Sequence, residues 1–248
     1  MVNKKRLIVA KYRENVDWVY NLKNEFEIVV YNKDNDLSVD SLSFENREYV
    51  TDGIKWVDLP NIGREAQTYL FHIIENYDKM YDLEFFTQGN PFDHTPDFLN
   101  KIRSVEESIY YGNLCNERTI QKKSDFIESE KDKIHFYYGN QNTLHKEIFK
   151  KEVPSLYEIG IRGMFVSSKK AIQDNDIEIY ENCYKKFDPN LYLTGFSYLD
   201  KIAGKDVDPN DHSEIIEKYG GIPNGENFPF VFEYFWDLLF KSQKTIEL

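Results

Sequence analysis

Apolar positions along this chain fall into runs whose period switches between strand-like and helix-like, an alternation that predicts an α/β protein. Arg6 to Ala10 (RLIVA) is apolar and β-branched and predicts a first strand. The polar loop Lys11 to Asn15 follows, then a short helix near Val16 to Leu22 and a second strand from Glu27 to Tyr31, a βαβ opening. Asn32 to Asp36 carries turn chemistry, and Leu37 to Lys55 is polar and irregular enough to read as an excursion from the sheet. The run from Leu59 to His94 is the most informative. Asn61, Ile62 and Gly63 make a turn, Glu65 to Tyr77 sets Ala66, Tyr69, Leu70, Ile73 and Ile74 at helical spacing, and Leu83 to Phe86 is a short apolar strand. Thr95 to Asn113 reads as a helix, with Pro96 near its first turn and Phe98, Leu99, Ile102 and Val105 on one face.

The second half changes character. Lys122 to Lys133 is charge-rich and reads as a solvated loop. Tyr157 to Ser168 has the composition of a buried strand interrupted by Gly160 and Gly163, and Lys169 to Phe187 reads as helical. Asp188 to Pro223 is loop-rich, a candidate mobile segment. Phe228 to Phe240 (FPFVFEYFWDLLF) is an aromatic amphipathic helix that closes the core, with Phe232, Phe235, Trp236 and Leu239 on one face and Glu233 with Asp237 on another. No internal repeat interrupts this order.

Composition narrows the function classes. A 248-residue chain with 41% hydrophobic and 16% aromatic residues can fill the core of one domain. A formal charge of −12 argues against a sequence-independent nucleic-acid binder, because phosphate-backbone affinity comes from Lys and Arg. The apolar run after the basic start is too short for a signal peptide, and no stretch nears the roughly 20 apolar residues that span a bilayer, so a soluble, cytoplasmic protein is expected. Cys115 and Cys183 lie far apart without a CxxC partner and are expected to pack as small hydrophobes.

Candidate chemistry gathers at predicted strand ends, where open α/β sheets bind ligands. Tyr12, Arg13 and Asn15 follow the first strand and suit a nucleotide base, although a polar loop there is common in any α/β protein. Arg64 opens a helix where a cation conflicts with the dipole unless an anion lies nearby, which makes it the leading diphosphate contact; the alternative is a surface ion pair with Glu65 or Glu14. Gln88 and Asn90 either bond a sugar hydroxyl or hold their own loop. Asp93 and His94 suit a divalent ion, Mn or Mg, that neutralises a diphosphate; alternatively Asp93 caps the helix beginning near Thr95. Arg162, read as buried, either faces a ligand or pairs with a carboxylate such as Glu158. Glu233, amid aromatic residues, suits a general base with raised pKa, or else sits at an exposed helix position. His72, His135, His145 and His212 are too scattered to propose a zinc site.

Four blocks, LIVAKYREN, NIGREAQTYL with LEFFTQGNPFDH, RGMFVSSKKAI with IEIYENC, and FVFEYFWDLLF, together resemble the GT-A superfamily of nucleotide-sugar glycosyltransferases. Within it they resemble an uncharacterised domain-of-unknown-function family, domain family 3431. The resemblance implies a GT-A-like, Rossmann-like mixed and mostly parallel sheet flanked by helices in a single domain, 1–113 holding the nucleotide and 114–248 the acceptor. It implies transfer of a sugar from a nucleotide-diphosphate donor to a glycan or other hydroxyl acceptor. Asn61, Gly63 and Arg64, with Gln88, Asn90, Arg162 and Gly163, would hold the donor, Asp93 and His94 the metal, and Asp93 and Glu233 would act in catalysis. The superfamily's Asp-x-Asp metal motif is replaced by Gln88, Asn90, Asp93 and His94, so the alternatives are a metal-independent enzyme, a non-catalytic nucleotide-sugar or carbohydrate-binding module, or a metal-dependent phosphohydrolase.

Overall fold

The computed structural model describes residues 4–37, 46–116, 118–122, 145–146, 148–154, 156–160, 162–187 and 228–241. The loops expected over 123–133 and 188–223, and with them His135 and His212, lie outside the described residues.

The strands are β1 (Lys5–Lys11), β2 (Glu27–Asn32), β3 (Arg47–Thr51), β4 (Ile54–Asp58), β5 (Leu83–Gln88), β6 (Tyr111–Asn113), β7 (Arg118–Lys122), β8 (Leu156–Gly160) and β9 (Phe165–Ser168). The α-helices are α1 (Arg64–Asn76), α2 (Phe98–Arg103), α3 (Lys169–Gln173), α4 (Ile177–Lys185) and α5 (Phe228–Lys241), with a 3₁₀ helix at Asp17–Leu22 between β1 and β2. Seven strands form one sheet in the order β3-β4-β2-β1-β5-β9-β6, and β7 with β8 makes a separate ribbon.

The expected mostly parallel sheet is not what forms. β1 pairs in parallel with β2 and β5, and β2 with β4, while β3–β4, β5–β9 and β6–β9 are antiparallel. The sheet is therefore evenly mixed, and the β7–β8 ribbon adds a further antiparallel pair. Crossover connections join the strands of the parallel centre, and antiparallel neighbours finish both flanks. The two proposed halves interlock, because β9 is inserted between β5 and β6.

Burial on both faces explains the near-continuous apolar runs of the central strands. In β1, Ile8 and Ala10 join a cluster with Tyr69, Leu70, Ile73, Phe165 and Trp236 on the α1 and α5 face. Leu7 and Val9 join Val19, Leu22, Phe98 and Ile102 on the other face, beneath the 3₁₀ helix and α2. Cys115 and Cys183 are buried in these two clusters, as their composition suggested. Among the described residues, no helix is long and apolar enough to cross a membrane.

Several expected elements are redrawn. Leu37 to Lys55 is not wholly irregular, since β3 and β4 form a hairpin closed by Asp52 (φ 52°) and Gly53 (φ 82°), the conformation Asp-Gly turns favour. β3 is an exposed edge strand, and its Glu48 pairs with Lys55 at 2.9 Å. The helix expected over Thr95 to Asn113 is only α2, after which the chain enters β6. The single strand expected over Tyr157 to Ser168 is β8 and β9, in different sheets. The helix expected over Lys169 to Phe187 breaks into α3 and α4, where buried Asn175 turns its amide to the Leu239 carbonyl at 3.0 Å.

Candidate functional site

β1, β2, β4 and β5 run parallel, so the loops at 12–15, 33–36, 59–63 and 89–94 all leave from one edge of the sheet. β9 runs antiparallel to β5, which delivers the turn preceding it, Arg162 to Met164, to that same edge. Thr87 Oγ1 lies 3.4 Å from Met164 Sδ and marks the junction.

Helix α1 starts at this edge in a constrained way. Gly63 has φ 60° and Arg64 φ 51°, two consecutive left-handed residues, and no side chain caps the helix. A Cβ on Gly63 would stand 2.3 Å from Phe187 Cδ1 and 2.6 Å from Gln67 Cβ, so glycine is required twice over. Lys33 holds this turn from below: its buried ammonium donates to the carbonyls of Ile62 and Arg64, each at 2.5 Å. Burial lowers the Lys33 pKa to about 7, against a smaller opposing pull from Glu65.

The opposite wall comes from α5. Glu233 and Asp237, one helical turn apart, accept backbone N–H bonds from Arg162 at 2.5 Å and from Gly160 at 2.6 Å. They fix a turn in which Arg162 (φ 81°) and Gly163 (φ 59°) are both left-handed. Glu233 is 6% exposed, and its carboxyl is pushed up to about 7, first by burial and then by Glu65, while the Arg162 N–H and the Arg162 and Arg64 charges pull it down. The exposed helix position considered for Glu233 is thus corrected, because the residue faces β8 and the turn after it. The buried setting expected for Arg162 is corrected too: the side chain is exposed, beyond the turn whose N–H Glu233 holds.

Gly63, Arg64, Arg162, Gly163 and Glu233 therefore converge around the α1 N-terminus. Arg64 is half-exposed and its Nε lies 3.8 Å from Glu65, the weak ion pair anticipated as its alternative. Asn61 is exposed at the rim. The neighbouring loops are knit to themselves. The Tyr12 N–H donates to Glu14 at 2.7 Å, the Arg13 guanidinium lies 4.7 Å from the Tyr12 ring centre, and Asn15 bonds Asp17. Gln88 Nε2 donates to the Asn90 carbonyl at 3.3 Å, and Asn90 Oδ1 accepts from the Phe92 N–H at 3.4 Å, the loop-holding role weighed for both. Asp93 is exposed in the Pro91 to Thr95 turn and does not cap α2, which begins at Phe98 after Asp97. Among the described residues, no three His, Cys, Asp or Glu side chains converge as a metal-holding group, at Asp93 and His94 or elsewhere.

Pattern alone passed over Lys33, Glu65, Tyr69 and Trp236. Lys33 sits in the NKDND turn, where a lysine ordinarily reads as solvated. Glu65 and Tyr69 did carry a signal, because their i,i+4 spacing puts them on one side of α1 beside Arg64.

Residues 7–190, well over half of the chain, match the model of the family described as Protein of unknown function (DUF3431). The chain belongs to that family. The DUF3431 match runs from β1 through α4 and includes Lys33, Arg64, Glu65, Arg162 and Gly163, whereas Glu233 and Trp236 come from α5 beyond it. No curated protein and no solved structure matches the chain.

Proposed function

We propose that this DUF3431 protein is a GT-A-like glycosyltransferase that moves a sugar from a nucleotide-diphosphate donor to a hydroxyl acceptor at the α1 N-terminus. The observation that carries this is Glu233, a buried carboxyl with pKa near 7 that holds the Arg162 N–H at the turn beside the α1 N-terminus, where Arg64 also lies. Near neutral pH such a carboxylate takes a proton from an acceptor hydroxyl, while the arginines and the positive end of the α1 dipole stabilise charge developing on the departing diphosphate. The base would lie toward the Tyr12 to Asn15 loop, on the neighbouring strand end.

With two protein ligands at Asp93 and His94, no step is routed through a metal. The phosphohydrolase alternative draws on clustered carboxylates for two-metal chemistry, and among the described residues no such cluster supports it. One observation favours a non-catalytic nucleotide-sugar-binding module: Glu233 and Asp237 both anchor backbone N–H groups, which is a structural use of those carboxylates.

Thermal-shift titration of the full chain with nucleoside diphosphates and their sugars, in Mn, Mg or EDTA, tests donor binding. Release of nucleoside diphosphate in the presence of a hydroxyl acceptor then tests transfer. Binding with transfer supports the enzyme, binding without transfer supports the module, and no shift for any nucleotide overturns both. A shift that requires metal and is lost in Asp93→Ala would assign the ion to Asp93.

A further inference from the structure

Where α1 packs on α5, beside the Arg162–Gly163 turn, lie polar atoms that the described residues do not satisfy. Tyr69 Oη and Trp236 Nε1 are buried and find no hydrogen-bond partner among the described residues. Their rings pack 5.9 Å apart, joining α1 to α5. Trp236 Nε1 lies 3.8 Å, and Glu65 Oε1 3.9 Å, from the point where a Cβ on Gly163 would stand, so the missing side chain leaves these groups facing the same turn. The Tyr69 hydroxyl is held well above its ordinary pKa, chiefly by burial and then by the charges of Glu65 and Glu233.

A buried polar atom left unbonded is costly, and two on side chains that pack together point to a group that arrives from outside to bond them. The donors here are a phenol O–H and an indole N–H, both neutral, and the acceptors are two carboxylates. Phosphate is disfavoured there, because Glu65 and Glu233 repel it; in the transferase reading the exposed Arg64 and Arg162 would serve the anion. A neutral group that both donates and accepts fits the set, and a sugar ring with adjacent hydroxyls has that chemistry.

We infer that Tyr69, Trp236, Glu65 and Glu233 form a subsite for the hydroxyl groups of a monosaccharide unit. Its role as donor or acceptor subsite rests on the transferase reading above, whereas binding itself does not. The test therefore uses free sugars without nucleotide. Saturation-transfer NMR on the full chain with D-glucose, D-galactose, D-mannose and N-acetyl-D-glucosamine should give a signal for at least one of them. That signal should fall several-fold in Tyr69→Phe and in Glu65→Gln. Without sugar, Tyr69→Phe should melt at or above the wild-type temperature, because it deletes a hydroxyl that bonds nothing. Three results overturn the inference: no signal for any sugar with wild type, a signal unchanged in both variants, or a lowered melting temperature for sugar-free Tyr69→Phe, which would mean the hydroxyl bonds an enclosed water. A sugar signal without any nucleotide shift would sink the transferase reading and leave the subsite standing.

Discussion

Replacing Lys33 with Met should change how stability depends on pH more than it changes stability at any one pH. In the fold the Lys33 pKa drops from 10.5 to about 7, because its ammonium is buried against two carbonyls and, among the described residues, no carboxylate pairs with it. Between those two values the unfolded chain holds a proton that the folded chain has released, so stability rises with pH across the window. Each pH unit inside it is worth about 1.4 kcal/mol, and half-titration at the lower end trims the total between pH 7 and pH 9 to about 2 kcal/mol. Urea unfolding of wild type and Lys33→Met at pH 7, 8 and 9 isolates this contribution, since the other groups titrate in both proteins. The wild type should gain about 2 kcal/mol on the variant from pH 7 to pH 9. A difference that stays flat would mean the ammonium remains charged throughout, and the account of a desolvated cation beneath the α1 turn would be wrong.

Glu233 should act with the opposite sign on the acid side. Its carboxyl is raised from 4.5 to about 7, so the folded chain holds the extra proton and stability falls as pH rises through that window. Glu233→Gln should remove this slope in acid-range urea titrations, and in a transfer assay it should abolish the rise of kcat near pH 7. Gly63→Ala should destabilise by more than about 2 kcal/mol, since it adds steric overlap with Phe187 to a left-handed backbone, whereas Gly163→Ala, with only ordinary contacts, should cost about 1 kcal/mol in the same unfolding assay. Glu84→Gln should cost about 3 kcal/mol by denaturant unfolding, because buried Glu84 lies 3.5 Å from both Arg6 and His72, and its loss leaves the Arg6 charge less compensated. Asp93→Ala should leave the melting temperature within a degree or two, since Asp93 is exposed, and a large drop would reveal a structural role for the turn.

By itself the sequence determined the alternating α/β order, the central strands and α1. These are local matters: apolar runs buried on both faces make β1, β2 and β5, and helical spacing from Ala66 to Ile74 makes α1. It also named Gly63, Arg64, Gly163 and Glu233, because glycines at turns, a cation at a helix start and a carboxylate among aromatic residues each conflict with ordinary local preference. The Asp52-Gly53 signal for the β3–β4 hairpin was present in the sequence but was outweighed by the polar composition around it.

Tertiary structure decided the rest. Whether β9 runs parallel or antiparallel to β5 leaves no mark on β9's own residues, yet that direction carries Arg162 and Gly163 to the edge where β1, β2, β4 and β5 end. Lys33 is unremarkable in a polar turn until two carbonyls more than twenty residues away close over it. Burial of Glu233 and Asp237 likewise depends on where the 160–163 turn docks. Periodicity records which face of an element is apolar; partner, direction and desolvation are properties of the assembled fold, and in this protein they set the charge state of the groups at the proposed site.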